Sequence, residues 1–175
     1  TVRDALVAGI TLNIFNKHCD RVKMANLAQM VNVLQSVILT EGPKMIKTPT
    51  YHVFHMYRHH QGATLLNSTL TGVGETGIGE WKVPEVTESV SEDAEHIITV
   101  TLNNLSADEE KEIEIVIAGD EHVYSVKEAK VVSAEMHAHN TFELVKEEVF
   151  TAYKKCADGI KIMLPPCSVV ELRLQ

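Results

Sequence analysis

The C-terminal stretch GIKIMLPPCSVVELRLQ, residues 159–175, is the most informative part of the sequence about the fold. Apolar side chains occupy alternate positions in its first half and again in its second half: Ile160, Ile162 and Leu164, then Val170, Leu172 and Leu174. A period of two is typical of a β-strand with one buried face. The pair Pro165–Pro166 separates the two runs, because proline has no N–H to donate to a ladder. The stretch therefore predicts two short strands.

The same period occurs further upstream. The segments HIITVTL (96–102) and KEIEIVI (111–117) are rich in β-branched residues, and the polar segment NNLSADEE (103–110) connects them. Residues 122–133 predict a further strand or a pair of strands. Short strands at intervals of about ten residues are typical of an antiparallel sandwich or jelly roll. We therefore expect residues 66–175 to be mainly β.

The first 65 residues have a different pattern. Apolar residues recur at helical spacing over residues 2–15, and Thr48 followed by Pro49 predicts the start of a helix over residues 49–60. The apolar run 22–31 is compatible with a helix or a buried strand, and periodicity does not decide between them. Two helices and one buried segment do not cover one another's apolar faces. This region is therefore expected to be the last part of a larger unit.

Charge divides the chain at about the same place. Residues 1–65 hold seven Lys and Arg against three Asp and Glu, whereas residues 66–175 hold nine against twenty-one, so the charges are +4 and −12. A net charge of −8 argues against nucleic acid or an anionic membrane as a partner, since phosphates would repel the chain. A shift of this size near residue 65 predicts two structural units.

Three cysteines, too few for a disulfide framework, are expected to be free thiols: Cys19, Cys156 and Cys167. No segment has the length and apolarity of a transmembrane helix, and no signal peptide is visible. The first residue is Thr1 and not Met, so we expect a longer natural protein.

The histidines suggest a metal site, and the suggestion is weak. His52, His55 and His59 stand at helical spacing and could share one face with the adjacent His60. No carboxylate accompanies them, and their spacing matches no zinc signature. His137 and His139 would point the same way on a strand but lack an evident third ligand. We therefore predict a polar or core-edge role for these imidazoles, with no metal and no cofactor.

Other patterns associated with catalysis are equally weak. The glycines of GVGETGIG (72–79) satisfy a phosphate-loop spacing, but the strand–turn–helix context is lacking, so a flexible connector is predicted. The paired carboxylates lie in polar segments and are expected to be solvated loop charges: Glu92 and Asp93, Glu109 and Glu110, Glu147 and Glu148. Taken without further comparison, the residues predict an acidic β-rich domain attached to a helical piece.

Four segments, taken together, resemble a known enzyme family. They are DALVAGITLNIFNKHCDRVKMANLAQMVNVLQSVILTEG (4–42), TPTYHVFHMYRHHQGATLL (48–66), HAHNTFE (137–143) and LPPCSVVELRL (164–174). In this order they resemble the C-terminal part of α-L-arabinofuranosidases of glycoside hydrolase family 51. That resemblance implies a mainly β chain: a C-terminal jelly-roll-like antiparallel β-sandwich, residues 63–175, preceded by the last helix-strand-helix piece of a (β/α)8 barrel, residues 1–62.

The resemblance also assigns elements within the barrel piece. Residues 2–18 would be the helix after barrel strand seven, residues 22–30 would be strand eight, and residues 49–60 would be the last helix. The ambiguous apolar run is thus expected to be a strand, on the strength of the resemblance alone. A barrel of this kind closes only with all eight strands.

Function is implied in the same way. Family members remove terminal arabinofuranosyl residues from arabinan and arabinoxylan with retention of configuration, using one glutamate as acid and another as nucleophile. Both glutamates would precede Thr1, so no residue of this chain is named as catalytic. The family has a glutamine that hydrogen-bonds the arabinose hydroxyls, and Gln29 matches it, while Asn26 and Asn32 are weaker candidates.

Further expectations concern partners and location. Arabinose-containing oligosaccharides are the expected ligands of the parent enzyme, and exposed apolar faces of a barrel piece predict a homo-oligomer or disorder of residues 1–62. Free cysteines and the family's frequent intracellular residence favour the cytoplasm, with a secreted or periplasmic parent left open. The alternative function is a stand-alone sandwich module for carbohydrate binding or assembly, with Trp81 as its best exposed aromatic residue.

Overall fold

The computed structural model describes residues 1–28, 30–119, 122–141, 146–157 and 159–175. Helix α1 spans Val2–Lys17 and buries its face at Val2, Ala5, Leu6, Gly9 and Asn13, which is the helical spacing that the sequence predicts.

Helix α2 confirms the second predicted helix and spans Pro49–Tyr57. Thr48 caps it, because its hydroxyl accepts a hydrogen bond from the Tyr51 N–H, and Pro49 occupies the first turn. A single 3-10 turn, Arg58–His60, continues the helix toward the β-rich part of the chain. None of the helices that the structure describes is both long and apolar enough to cross a membrane.

The segment between the two helices contains one small hairpin. Strands β1 (Ile38–Glu41) and β2 (Lys44–Lys47) pair in antiparallel fashion around a turn at Gly42, whose φ of 56° suits glycine. The strand expected at residues 22–30 is not seen over residues 22–28, which form neither helix nor strand. A parallel barrel strand needs hydrogen-bonded neighbours on both sides, and the described part of the chain places none beside these residues.

The larger sheet has six antiparallel strands in the order β10-β9-β13-β7-β6-β3. Its strands are β3 (Thr64–Leu65), β6 (Val86–Glu92), β7 (Ile98–Asn104), β9 (Val126–Ser133), β10 (Glu148–Val149) and β13 (Ser168–Leu174). The C-terminal strand β13 lies between β9 and β7 and pairs with both along its length. This central place explains why its apolar residues are fully buried.

A second sheet packs against one face of the first. It has the order β11-β12-β8 and consists of β8 (Lys111–Ile115), β11 (Tyr153–Lys155) and β12 (Ile160–Leu164). The core between the sheets is formed by alternating apolar residues of β7, β12 and β13, among them Leu102, Ile162 and Leu172. The predicted antiparallel sandwich is thereby confirmed, with Pro165 and Pro166 between β12 and β13 as expected.

The opposite face of the six-stranded sheet is covered by the two helices. Val2 and Leu6 of α1 and Met56 of α2 form a second apolar cluster with Val132 and Val169 of the sheet. The sheet is therefore buried on both faces, and its two faces differ in chemistry.

The glycine-rich segment 72–79 is not the flexible connector that the sequence predicts. Instead of a connector without structure, it contains strand β4 (Glu75–Ile78), which pairs with β5 (Trp81–Pro84). Gly77 allows this close pairing, since a Cβ there would lie 2.0 Å from the Trp81 carbonyl oxygen. The glycines therefore serve a tight hairpin.

Candidate functional site

The residue expected to bind sugar, Gln29, lies outside the described residues. Its neighbours form a turn that is closed by Asn32 and Thr40. The Asn32 side-chain amide donates to the Thr40 hydroxyl at 2.8 Å, and its carbonyl accepts from the Thr40 N–H at 2.7 Å. Asn32 has a φ of 53°, a backbone conformation that asparagine tolerates. Because both ends of its amide are used, Asn32 is better described as a turn residue than as a sugar ligand.

The other weak candidate, Asn26, lines a cleft between α1 and α2. The cleft encloses about 190 Å³, and its walls are largely apolar, including Leu12, Phe15 and Phe54. Asn26 and Gln35 are the lining residues that have side-chain amides. Such groups hydrogen-bond neutral hydroxyls without adding charge, which is compatible with a sugar-facing loop.

The histidines predicted to share a helix face have separate partners. His55 Nδ1 lies 2.8 Å from a Glu147 carboxylate oxygen, and His59 Nδ1 lies 2.5 Å from Glu171. Burial lowers the pKa of His52, whose Nδ1 has no hydrogen-bond partner among the described residues. Within the described ranges, no three His, Cys, Asp or Glu side chains are grouped as a metal site would require.

His137 and His139 do not lie on a strand. They occupy a turn and the segment after it, where the His137 N–H donates to the Glu135 carboxylate at 2.9 Å. The expected common strand face is therefore wrong, since the chain leaves the sheet at Ser133.

The most organised polar site is buried between the helices and the six-stranded sheet. Its side chains are mostly small and uncharged, and those of the strands point toward the helices, on the face opposite the sandwich core. We call it the helix–sheet seam; it consists of Asn13, Tyr57, His60, Thr87, Ser89, Ser91, Thr101 and Asn103. Each member has at least one hydrogen-bond partner within the seam, as burial in a low-dielectric environment demands.

Asn13 is the acceptor at the centre of the seam. Its side-chain oxygen accepts from the hydroxyls of Tyr57 at 2.8 Å, of Ser89 at 2.9 Å and of Thr101 at 2.9 Å. Burial raises the pKa of Tyr57, so its hydroxyl remains a donor over the whole physiological range. This network joins α1, α2 and two strands of the sheet.

His60 closes the network at the end of the 3-10 turn. Its Nδ1 lies 2.7 Å from the Ser91 hydroxyl and its Nε2 lies 3.1 Å from the Thr101 hydroxyl. Because Thr101 donates its own proton to Asn13, the pattern fits a neutral imidazole that carries its proton on Nε2. Burial, reinforced by the neighbouring His59, lowers the pKa of His60 to about 4, which keeps the ring neutral.

Two buried carboxylates adjoin the seam, and both were missed in the sequence. Glu88 pairs with Lys17 of α1 and accepts a hydrogen bond from the Ser68 hydroxyl at 2.9 Å. Glu171 is only 1% exposed, and burial raises its pKa to about 8. The strand pattern carried no signal of this burial, because polar residues at alternate positions, such as Thr99 and Thr101, are typical of a face open to solvent.

The exposed aromatic residue Trp81 lies on the β4–β5 hairpin. Its side chain is 82% exposed, and its cross-strand partner Ile78 is 86% exposed. It is the single tryptophan of the chain, and no tyrosine among the described residues is as exposed. The hairpin thus offers a flat aromatic surface of the kind that stacks on sugar rings.

Comparison with known proteins gives a consistent result. Residues 1–168 match the family described as the α-L-arabinofuranosidase C-terminal domain. An intracellular exo-α-L-arabinofuranosidase of Bacteroides ovatus is 40% identical over 178 aligned residues, which include the whole of this chain and 34% of that protein.

Solved structures give the same result. The GH51 arabinofuranosidase of Xanthomonas axonopodis pv. citri is 36% identical, with a TM-score of 0.92 over the whole of this chain and 36% of that one. The family 51 α-L-arabinofuranosidase AbfB of Bifidobacterium longum has a TM-score of 0.86 at 21% identity, covers 100% of this chain and 35% of its own, and is similar in fold. This chain thus spans about a third of the length of these relatives.

Proposed function

Since this chain belongs to the α-L-arabinofuranosidase C-terminal domain family, we propose that it is the C-terminal part of an enzyme that removes terminal arabinofuranosyl residues from arabinan- or arabinoxylan-type oligosaccharides. The observation that carries the proposal is the match to an exo-α-L-arabinofuranosidase along the entire chain. The rest of the parent enzyme would supply the catalytic glutamates. This chain would supply the last part of the catalytic barrel and the β-sandwich.

The proposed reaction is retaining hydrolysis by two glutamates that precede Thr1. In such enzymes the acid and the nucleophile stand about 5 Å apart across the scissile bond. The buried carboxylates of this chain do not suggest that role: Glu88 pairs with Lys17, and Glu171 pairs with His59. This usage supports a structural role for the carboxylates described here.

Within this chain we propose a division of labour at residue 62. Residues 1–62 would complete the catalytic barrel and bring Gln29 to the substrate, where its amide would hydrogen-bond the arabinose hydroxyls. Residues 63–175 would form the supporting sandwich. The seam supports the second role, because its hydrogen bonds hold α1 and α2 in a fixed position on the sheet.

The proposal is tested by hydrolysis of an aryl α-L-arabinofuranoside. The full-length parent is expected to release the aryl alcohol, and residues 1–175 alone are expected to release none. Changing Gln29→Ala in the parent should lower kcat/KM by about 10-fold or more, as expected for loss of hydrogen bonds to the substrate. Asn32→Ala is the matched control and should leave kcat/KM within about 3-fold, because its amide is engaged by Thr40. An active isolated chain, or a fully active Gln29→Ala parent, would contradict the proposal.

A second candidate function is carbohydrate binding by the hairpin. The specific observation in its favour is the exposure of Trp81, since aromatic rings on a protein surface stack on sugars. Calorimetric titration with arabinan oligosaccharides should then show weak binding that Trp81→Ala abolishes. Absence of heat with the unmodified chain would remove this candidate.

Assembly and location complete the proposal. Large apolar side chains are exposed on the barrel piece, including Met24, Met30 and Leu34, which favours self-association of the isolated chain. Light scattering should show an oligomer, and a monodisperse monomer would contradict this part. An intracellular location is proposed from the Bacteroides ovatus relative, whose name states it.

A further inference from the structure

The pair His59–Glu171 lies where the 3-10 turn meets the centre of the six-stranded sheet. His59 belongs to the turn and Glu171 to β13, and the Nδ1–Oε1 distance is 2.5 Å. The side chains are 16% and 1% exposed. The second carboxylate oxygen of Glu171 has no hydrogen-bond partner among the described residues. His59 is thus the direct polar contact of this carboxylate.

The cations of the sheet that face Glu171 are engaged elsewhere. Lys130 of β9 is its register partner, but the Lys130 ammonium lies 2.9 Å from Glu128. Arg173 of β13 lies 3.0 Å from Asp93 and 3.9 Å from Glu128.

In the part of the chain that the structure describes, the remaining neighbours offer no dedicated counter-charge. On the 3-10 turn, the Arg58 guanidinium donates to the His55 carbonyl oxygen, and His60 is occupied by Ser91 and Thr101. The facing residues of β7 and β6 are uncharged threonines and serines. Among the described residues, His59 is therefore the direct hydrogen-bond partner of Glu171, while Lys130, Arg58 and Arg173 act on its carboxylate only through their charge.

We propose that His59 and Glu171 form a proton-operated clasp: while the pair holds one proton it fastens the 3-10 turn to the sheet, and loss of that proton in mildly alkaline solution loosens the end of α2. The turn leads from α2 through residues 61–63 to β3, so the clasp controls how firmly the helical part is held to the sandwich. This inference does not depend on the enzymatic function proposed above.

The direction of the pH dependence follows from the two groups. Burial raises the pKa of Glu171 from 4.5 to about 8, and burial together with Arg173 and Arg58 lowers the pKa of His59 from 6.5 to about 4. The folded pair thus holds one proton between about pH 4 and pH 8. The unfolded chain holds one between pH 4.5 and 6.5, because its histidine is charged and its glutamate is ionised there.

Stability must then fall as the pH rises above 6.5, because the folded pair keeps a proton that the unfolded pair has released. A difference of one bound proton between the folded and the unfolded state, maintained from pH 6.5 to pH 8, lowers the folding equilibrium constant by about 30-fold. The pKa values of His52 and His60 are lowered from 6.5, so these histidines change the stability only below pH 6.5 and not between pH 6.5 and 8.

The test is urea unfolding of the 175-residue chain at pH 6.5 and 8.0, followed by far-ultraviolet circular dichroism. Between these two pH values, the folding equilibrium constant of the unmodified chain should fall by about 30-fold. That of Glu171→Gln should change by less than about 3-fold, because glutamine keeps the shape of the side chain but does not ionise. The matched control is Glu92→Gln, since Glu92 pairs with the exposed His96 at 2.8 Å, and it should behave like the unmodified chain. An equal loss in Glu171→Gln, or no loss in the unmodified chain, would overturn the clasp.

A second measurement needs no variant. In a ¹⁵N-labelled unmodified chain, the ring nitrogens of His59 should show no transition near pH 6.5 and one near pH 8, where amide exchange of the 3-10 turn should also accelerate. A His59 ring that titrates near pH 6.5, as an unpaired histidine does, would overturn the clasp even if Glu171→Gln failed to fold.

Discussion

Gly9→Ala is expected to destabilise the chain, although alanine is the better helix former. Gly9 lies in the middle of α1, directly above Asn103 of β7. A Cβ at this position would lie 2.4 Å from the Asn103 Oδ1 atom and 2.9 Å from its Cγ atom. Ordinary contacts of this kind are about 3.5 Å or longer, so either the helix or the asparagine must move by roughly 1 Å.

The asparagine does not move freely. Asn103 is fully buried, and its amide donates to the Tyr57 hydroxyl at 3.3 Å and to the Thr87 hydroxyl at 3.1 Å. Breaking these two bonds costs about 1 kcal/mol each, and overpacking adds about 1–3 kcal/mol. Alanine returns about 1 kcal/mol in helix propensity. The net loss in the free energy of unfolding is therefore about 2–4 kcal/mol.

Removing the Asn103 side chain should make the effect of Gly9→Ala on stability favourable. In an Asn103→Ala background the added methyl group meets no side-chain oxygen, so Gly9→Ala should stabilise by about 0.5–1 kcal/mol. Urea unfolding of the four chains of this double-mutant cycle measures both effects. A stabilising Gly9→Ala in the unmodified chain, or an equal cost in both backgrounds, would refute the proposed role of Gly9 in the close approach of α1 to the sheet.

Three further predictions concern other parts of the chain. Leu172→Ala should cost about 2–5 kcal/mol in the free energy of unfolding, because the side chain is fully buried between the sheets, whereas Leu34→Ala at an exposed position should change it by less than about 0.5 kcal/mol. His60→Gln should make the stability less dependent on pH in acid. Above pH 6.5 His60 is neutral in both states; as the pH falls toward 4, the unfolded chain binds a proton at His60 that the folded chain does not, so up to about 3 kcal/mol of stability is lost. Trp81→Ala should leave the unfolding midpoint in urea unchanged, since the ring is exposed, and a large shift would show that the hairpin packs against the sandwich.

The regular elements were predictable because their patterns are local. Alternation at Ile160–Leu164 and Val170–Leu174 predicted β12 and β13, and Thr48–Pro49 predicted the start of α2. Each of these signals depends on residues a few positions apart, and tertiary packing agrees with them here.

The errors arose where pairing partners decide the structure. Residues 22–28 do not form the strand that the resemblance implied, because a strand exists only through its neighbours. Likewise, Glu171 alternates with buried valine and leucine residues and should face solvent by strand periodicity alone. It is buried because α2 and the 3-10 turn cover that face of the sheet, a long-range fact that no local pattern carries.

The candidate site was predictable to a lesser degree. The resemblance supplied Gln29, whereas nothing in the sequence indicated that Asn13, Tyr57 and Thr101 meet in one hydrogen-bond network. Those residues are separated by more than forty positions along the chain, so only the fold brings them together.

The most direct test of the proposed identity is to read the coding sequence upstream of Thr1. An α-L-arabinofuranosidase parent predicts an open frame about twice as long as this chain, in the proportion of its relatives, with alternating strand and helix patterns and two glutamates at strand ends. A start codon immediately before Thr1 would contradict the enzyme assignment and leave a stand-alone chain.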